Sequence, residues 1–174
     1  MPRPLRRLAA AALAAGALVA PAAAYGQATP PEPTGPDFEA ILLADAKVTA
    51  AVKGALRAGS AFAEPAAFGD LTADGTSDAV VLVTTPGAAG AVAAYVMSTH
   101  GSEKGRLRVL YRSQSLYRAF VRVSRGALVV LTPAYSRGDD VCCPAARLER
   151  TYVYDRKAKA FRRTASRRVA REAT

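Results

Sequence analysis

The chain predicts an α+β domain in which an N-terminal amphipathic helical region packs on an antiparallel meander of about seven strands. Three observations lead there. Over residues 37–59 the apolar side chains recur at three- and four-residue spacings, the period of one helix face. Beyond them the apolar residues fall in short runs between Gly, Pro and polar clusters, which is the punctuation of strands. One of those runs, 117–124, alternates residue by residue, as a strand with one buried face does.

The helical stripe consists of Phe38, Ile41, Leu42, Val48, Val52 and Leu56. Asp37 stands where an N-cap carboxylate accepts free backbone N–H groups, and Gly59 where a left-handed C′ residue ends a helix. A break is expected near Asp45. Residues 79–84 (AVVLVT) are apolar throughout, so this strand is expected to be buried on both faces, with Pro86-Gly87 closing it. Strands at 91–98 and 107–112 follow, separated by a polar turn over 101–105. In 117–124, Tyr117, Ala119, Val121 and Val123 share one face, and Arg118, Phe120 and Arg122 the other. Arg125-Gly126 makes a tight hairpin into 127–132, which Pro133 stops. Residues 148–155 and 160–164 form a last hairpin.

Ahead of this domain, residues 1–28 carry Arg3, Arg6 and Arg7, an apolar run over 8–19, and small residues ending at Ala24 or Ala28. A positive start, a short apolar middle and an A-x-A-like exit make a secretory signal peptide, which places the mature protein outside the cytoplasmic membrane, secreted or at the cell envelope. The run is broken by Gly16 and Pro21 and falls short of the roughly twenty apolar residues that span a bilayer, so cleavage is favoured over an uncleaved anchor and leaves no transmembrane segment. Residues 29–36 (TPPEPTGP) form a stiff linker, 37–168 a single domain and 169–174 a basic tail. With 51% hydrophobic residues, the domain holds enough apolar side chains for a single core.

Charge is uneven along the chain. Residues 25–105 hold nine acidic against four basic side chains, whereas residues 106–174 hold seventeen basic against five acidic. Such a basic half suits an anionic envelope polymer or another envelope protein, or is a set of solvated arginines on exposed strand faces. Nucleic acid is disfavoured by export and by the lack of a helix-turn-helix, zinc finger or aromatic RNP-like strand. The sequence assigns no oligomeric state.

Two segments carry possible chemistry. In residues 68–78 (FGDLTADGTSD), Asp70, Asp74 and Asp78 with Gly75 approach the spacing of a calcium loop, in which carboxylates at alternating positions wrap a hard cation. Thr72 stands where Asp or Asn is usual and Val81 where a twelfth-position Glu would complete the shell, so affinity for calcium is expected to be weak. The other outcome is an Asp-rich turn whose carboxylates cap backbone N–H groups and start the next strand. The segment also resembles the loop of FG-GAP repeats, but occurs once.

The second segment is Cys142-Cys143-Pro144 after Gly138-Asp139-Asp140. Both cysteines of the chain are here, and in an oxidising compartment they are expected to form a vicinal disulfide. It would rigidify its loop, act as a redox or thiol-sensing element, or give way to pairing with other chains. The pair lacks the C-x-x-C spacing of oxidoreductases, and two thiolates with a distant His100 make no zinc set.

Taken with the signal, Gly69 to Val81 and Gly138 to Pro144 give a pattern, G-D-L-x-x-D-G-x-x-D-A-V-V and then G-D-x-x-C-C-P before a Tyr-rich strand. It resembles a group of small secreted actinobacterial proteins, over about residues 38–163. The resemblance implies an extracytoplasmic domain and brings no activity with it. The chain departs from the group at Ala73, where Gly is commoner.

No catalytic residues are assigned. His100 has no serine elbow around it, Asp139 and Asp140 are adjacent and point to opposite faces, and no phosphate-binding Gly-rich motif occurs. The expected function is a non-catalytic extracytoplasmic binding or scaffold domain at the cell envelope. The alternatives are an accessory thiol/disulfide redox or sensing protein using Cys142 and Cys143, and a weak calcium-binding surface protein using Asp70, Asp74 and Asp78. Tyr111, Tyr117, Tyr135, Tyr152 and Tyr154 are divided between core packing and aromatic contacts.

Overall fold

A computed structural model describes residues 36–170. The signal peptide, all but the last residue of the linker and residues 171–174 lie outside the described residues. Two short helices open the domain, α1 (Phe38–Ala44) and α2 (Ala50–Arg57). The Asp37 carboxylate caps α1 by accepting the Ala40 N–H at 2.9 Å, and the Thr49 hydroxyl caps α2 by accepting the Val52 N–H at 3.4 Å. Between them Asp45 ends α1 and its carboxylate turns the chain by accepting the Lys47 N–H at 2.7 Å. Gly59 sits at φ 64°, and the N–H groups of Gly59 and Ser60 close back on the carbonyls of Leu56 and Ala55 at 2.9 and 3.0 Å. That is a complete Schellman ending.

Eight strands follow: β1 (Phe62–Gly69), β2 (Asp78–Thr84), β3 (Ala91–Ser98), β4 (Arg108–Gln114), β5 (Phe120–Ser124), β6 (Ala127–Ala134), β7 (Ala146–Asp155) and β8 (Ala160–Ala170). They form two antiparallel four-stranded sheets, each in chain order, β1-β2-β3-β4 and β5-β6-β7-β8. The expectation of about seven strands in one meander is therefore corrected to eight in two sheets among the described residues. The additional strand is β1, which pairs with β2 as an edge and absorbs Pro65 at a register shift between Pro65 and Ala67.

Pro133 does not stop β6, which continues to Ala134. The β5 partner strand has already ended opposite Leu131, so Pro133 faces only β7 and its missing N–H is tolerated as on an edge. The strand expected over 117–124 begins only at Phe120, because residues 115–119 cross between the sheets with Ser115 and Arg118 at positive φ. Arg125 and Gly126, at φ 50° and 70°, form the two-residue hairpin.

The layers explain the burial of β2. Ala79, Val81 and Val83 pack with Tyr95, Met97 and the helix residues Leu42, Val52 and Leu56 in one core. Val80 points the other way, into a second core with Val96, Tyr111, Leu128 and Val130. The first sheet is thus covered on one face by helices and on the other by the second sheet. Val121, Val123, Leu128 and Val130 turn the second sheet inward. Its other face carries Phe120, Leu131, Glu149 and Arg167 in register across all four strands. No helix among the described residues is long and apolar enough to cross a membrane.

Candidate functional site

In the Asp-rich loop, Asp70 accepts the N–H groups of Asp74 and Gly75 at 3.1 and 3.0 Å. Asp78 is fully buried and accepts from Leu71 and Thr72 at 2.8 and 2.9 Å. Asp74 accepts the Thr76 N–H at 2.9 Å. These carboxylates organise the turn into β2. Among the described residues no three His, Cys, Asp or Glu side chains converge as a metal-binding group. Ala73 sits at φ 56°, and Arg156, from the β7–β8 turn, donates to its carbonyl.

The loop also reaches His100, whose Nδ1 lies 2.9 Å from Asp74 Oδ2 and whose ring meets Tyr154 edge-on at 5.3 Å. The Thr76 N–H, helped by His100, holds the Asp74 carboxyl below its ordinary range, against desolvation. This pair was not legible from local spacing. It follows from hairpin pairing, since Ala79 opposite Met97 puts the loop before β2 and the turn after β3 at one end of the sheet.

Cys142 and Cys143 are joined as a vicinal disulfide in the connection between β6 and β7. That connection is braced from several sides. Asp139 accepts the N–H groups of Ser136 and Ala145 at 2.8 and 3.3 Å, while Asp140 is exposed and its carbonyl takes the Cys143 N–H at 3.0 Å. Tyr135 donates its hydroxyl to the Val141 carbonyl at 2.8 Å. Arg118 Nη1 donates to the carbonyls of Val141 and Cys142 at 3.2 and 2.8 Å, which ties the crossing between the sheets to the disulfide.

Beside the disulfide lies a small pocket of about 110 Å³ lined by Arg118, Phe120, Pro133, Cys142, Pro144 and Arg147. The Arg147 guanidinium lies over the Phe120 ring, 4.3 Å from its centroid, and Phe120 remains 53% exposed. Neither Arg118 nor Arg147 forms a salt bridge among the described residues, whereas Arg122 and Arg167 on the same face both pair with Glu149. Tyr135 and Val141 are likewise exposed around this loop, while Tyr111 and Tyr154 are buried in the core.

The chain matches no family model, no curated protein and no solved structure. The chemistry of the site therefore rests on its own geometry. A pocket lined by two guanidiniums that have no carboxylate partner among the described residues, and otherwise mostly apolar, can hold an anion by hydrogen bonds and charge. Sequence reasoning placed Arg118 and Phe120 on one strand face and singled out the disulfide loop. It missed Pro133 and Arg147, which the β6–β7 register sets opposite each other, two positions along from Leu131, the partner of Phe120.

Proposed function

We propose that this chain is a non-catalytic domain that works outside the cytoplasm and binds an anionic component of the cell envelope at the pocket beside its disulfide loop. One observation carries the reading: Arg118 and Arg147, without carboxylate partners among the described residues, converge on a pocket lined by Phe120, Pro133, Pro144 and Cys142. Arg122 and Arg167 on that face are held by Glu149, whereas Arg118 and Arg147 have no carboxylate partner among the described residues and can meet a ligand. Export is supported by the composition of residues 1–28, and the basic second half of the chain adds long-range attraction for a polyanion.

Co-sedimentation with an isolated anionic wall polymer tests it. Binding should fall steeply between about 0.1 M and about 1 M salt, over which the screening length shrinks from about 10 to about 3 Å. The double variant Arg118→Ala/Arg147→Gln should lose most of the bound fraction, while Arg57→Ala, on the helical layer, should retain it. Salt-independent binding, or equal binding by the double variant, would count against the proposal.

A further inference from the structure

We infer that the pocket accepts a carboxylate carried on an apolar stem, an organic monoanion rather than a mineral oxyanion; this rests on the pocket being the binding site and specifies what enters it. Size gives the first constraint. Cavities that enclose whole ligands run to about 300–1,000 Å³, so 110 Å³ admits one functional group and leaves the remainder of the ligand outside.

The donors give the second. Arg118 spends Nη1 on the Val141 and Cys142 carbonyls and has no other acceptor among the described residues, and Arg147 is held by stacking on Phe120. A planar guanidinium matches two oxygens of a carboxylate or of a phosphate alike, so the rest of the lining decides between them. The remaining lining is Phe120, Pro133, Pro144 and Cys142, and the two prolines have no backbone N–H to offer. A tetrahedral phosphate or sulfate would set some of its oxygens against hydrocarbon and proline, leaving them without donors. A carboxylate places both oxygens at one end and its stem against Phe120 and the prolines.

The backbone adds a third observation. Arg118 sits at φ 47°, a conformation that is strained for a side-chain-bearing residue and that Gly or Asn takes more readily. Its guanidinium, which joins the disulfide loop to the pocket, is what an Arg contributes at that position.

The test uses the oxidised full chain and three probes, benzoate, inorganic phosphate and benzyl alcohol, followed by ¹H–¹⁵N chemical shifts. Benzoate should bind saturably and at least tenfold more tightly than phosphate, and the neutral alcohol should not saturate. Arg147→Gln should weaken benzoate tenfold or more. Phe120→Ala should weaken benzoate while leaving the phosphate response unchanged. Should Arg147→Gln fold poorly, Arg147→Lys keeps the charge, removes the planar fork and should still lose most of the preference for benzoate. Phosphate binding as tightly as benzoate, or benzoate indifferent to both Arg147 changes, overturns the inference. If benzoate fails while wall polymer still co-sediments through Arg118 and Arg147, only the ligand class falls; if benzoate binds and polymer does not, the envelope reading falls instead.

Discussion

Glu149 holds two arginines from opposite sides, Arg122 at 2.8 Å and Arg167 at 2.7 Å, and does so with only 6% of its surface exposed. The hydrogen bonds from Arg167 hold its carboxyl below the ordinary range; burial opposes them and Arg122 adds to them. Because the folded value lies below the unfolded one, the stabilisation is fully present above the usual Glu value near 4.3 and is lost as pH falls through the folded value. Both arginine side chains are more than half exposed, at 56% and 68%, so solvent screening keeps the pair weak. Glu149→Gln should therefore cost only about 1 kcal/mol at pH 7. Urea melts of the two proteins should converge as the pH drops below about 4; a gap that stays constant would contradict this origin. Residues of this kind were only partly legible. Asp37 and Gly59 announce their caps because capping is local, whereas Glu149 gives no sign of its partners, which stand on strands 27 and 18 positions away.

At the scale of elements, β1 shows why a strand can escape notice. Its large apolar residues, Phe62 and Phe68, are 49% and 61% exposed, and Pro65 with the register shift beside it interrupts any alternation. An edge strand that buries little leaves little periodicity to read. The inner strands β2 and β3 were plain because both of their faces are apolar. Yet β1 ends at a close approach: a Cβ on Gly69 would stand 2.7 Å from Val123 Cγ1 of β5, where the two sheets meet. Gly69→Ala should cost about 1–3 kcal/mol by overpacking. Val123→Ala alone should also destabilise, but the double variant should recover part of the sum, since removing the valine methyls makes the room that the alanine needs. Strict additivity in that cycle would show that the contact does not decide the packing.

For the whole molecule, the disulfide is a local device. It closes a ring between neighbouring residues, so it removes little freedom from the unfolded chain: about 1 kcal/mol on the loop-entropy account, against about 3 kcal/mol for a fifteen-residue loop. Reduction should lower Tm by only about 3 °C in a domain of this size while weakening ligand binding at the pocket, which scanning calorimetry and benzoate titration with and without a phosphine reductant would show together. A fall of more than about 10 °C would mean that the loop is part of what holds the two sheets together. Here too the sequence went part of the way. It displayed the paired cysteines, but the pocket exists because pairing of β5, β6 and β7 in one sheet sets residues 120, 133 and 147 side by side, next to 118 of the crossing and 142 and 144 of the loop.

The last strand has a consequence for how copies of the chain behave side by side. β8 is eleven residues long and forms a free margin of its sheet, the shape that invites an identical neighbour to extend the ladder. It carries Arg162, Arg163, Arg167 and Arg168, and among the described residues only Arg162 and Arg167 have carboxylate partners, Asp155 and Glu149, so two such margins brought together would set an excess of guanidinium against guanidinium. That repulsion opposes growth of the sheet into ribbons at high concentration.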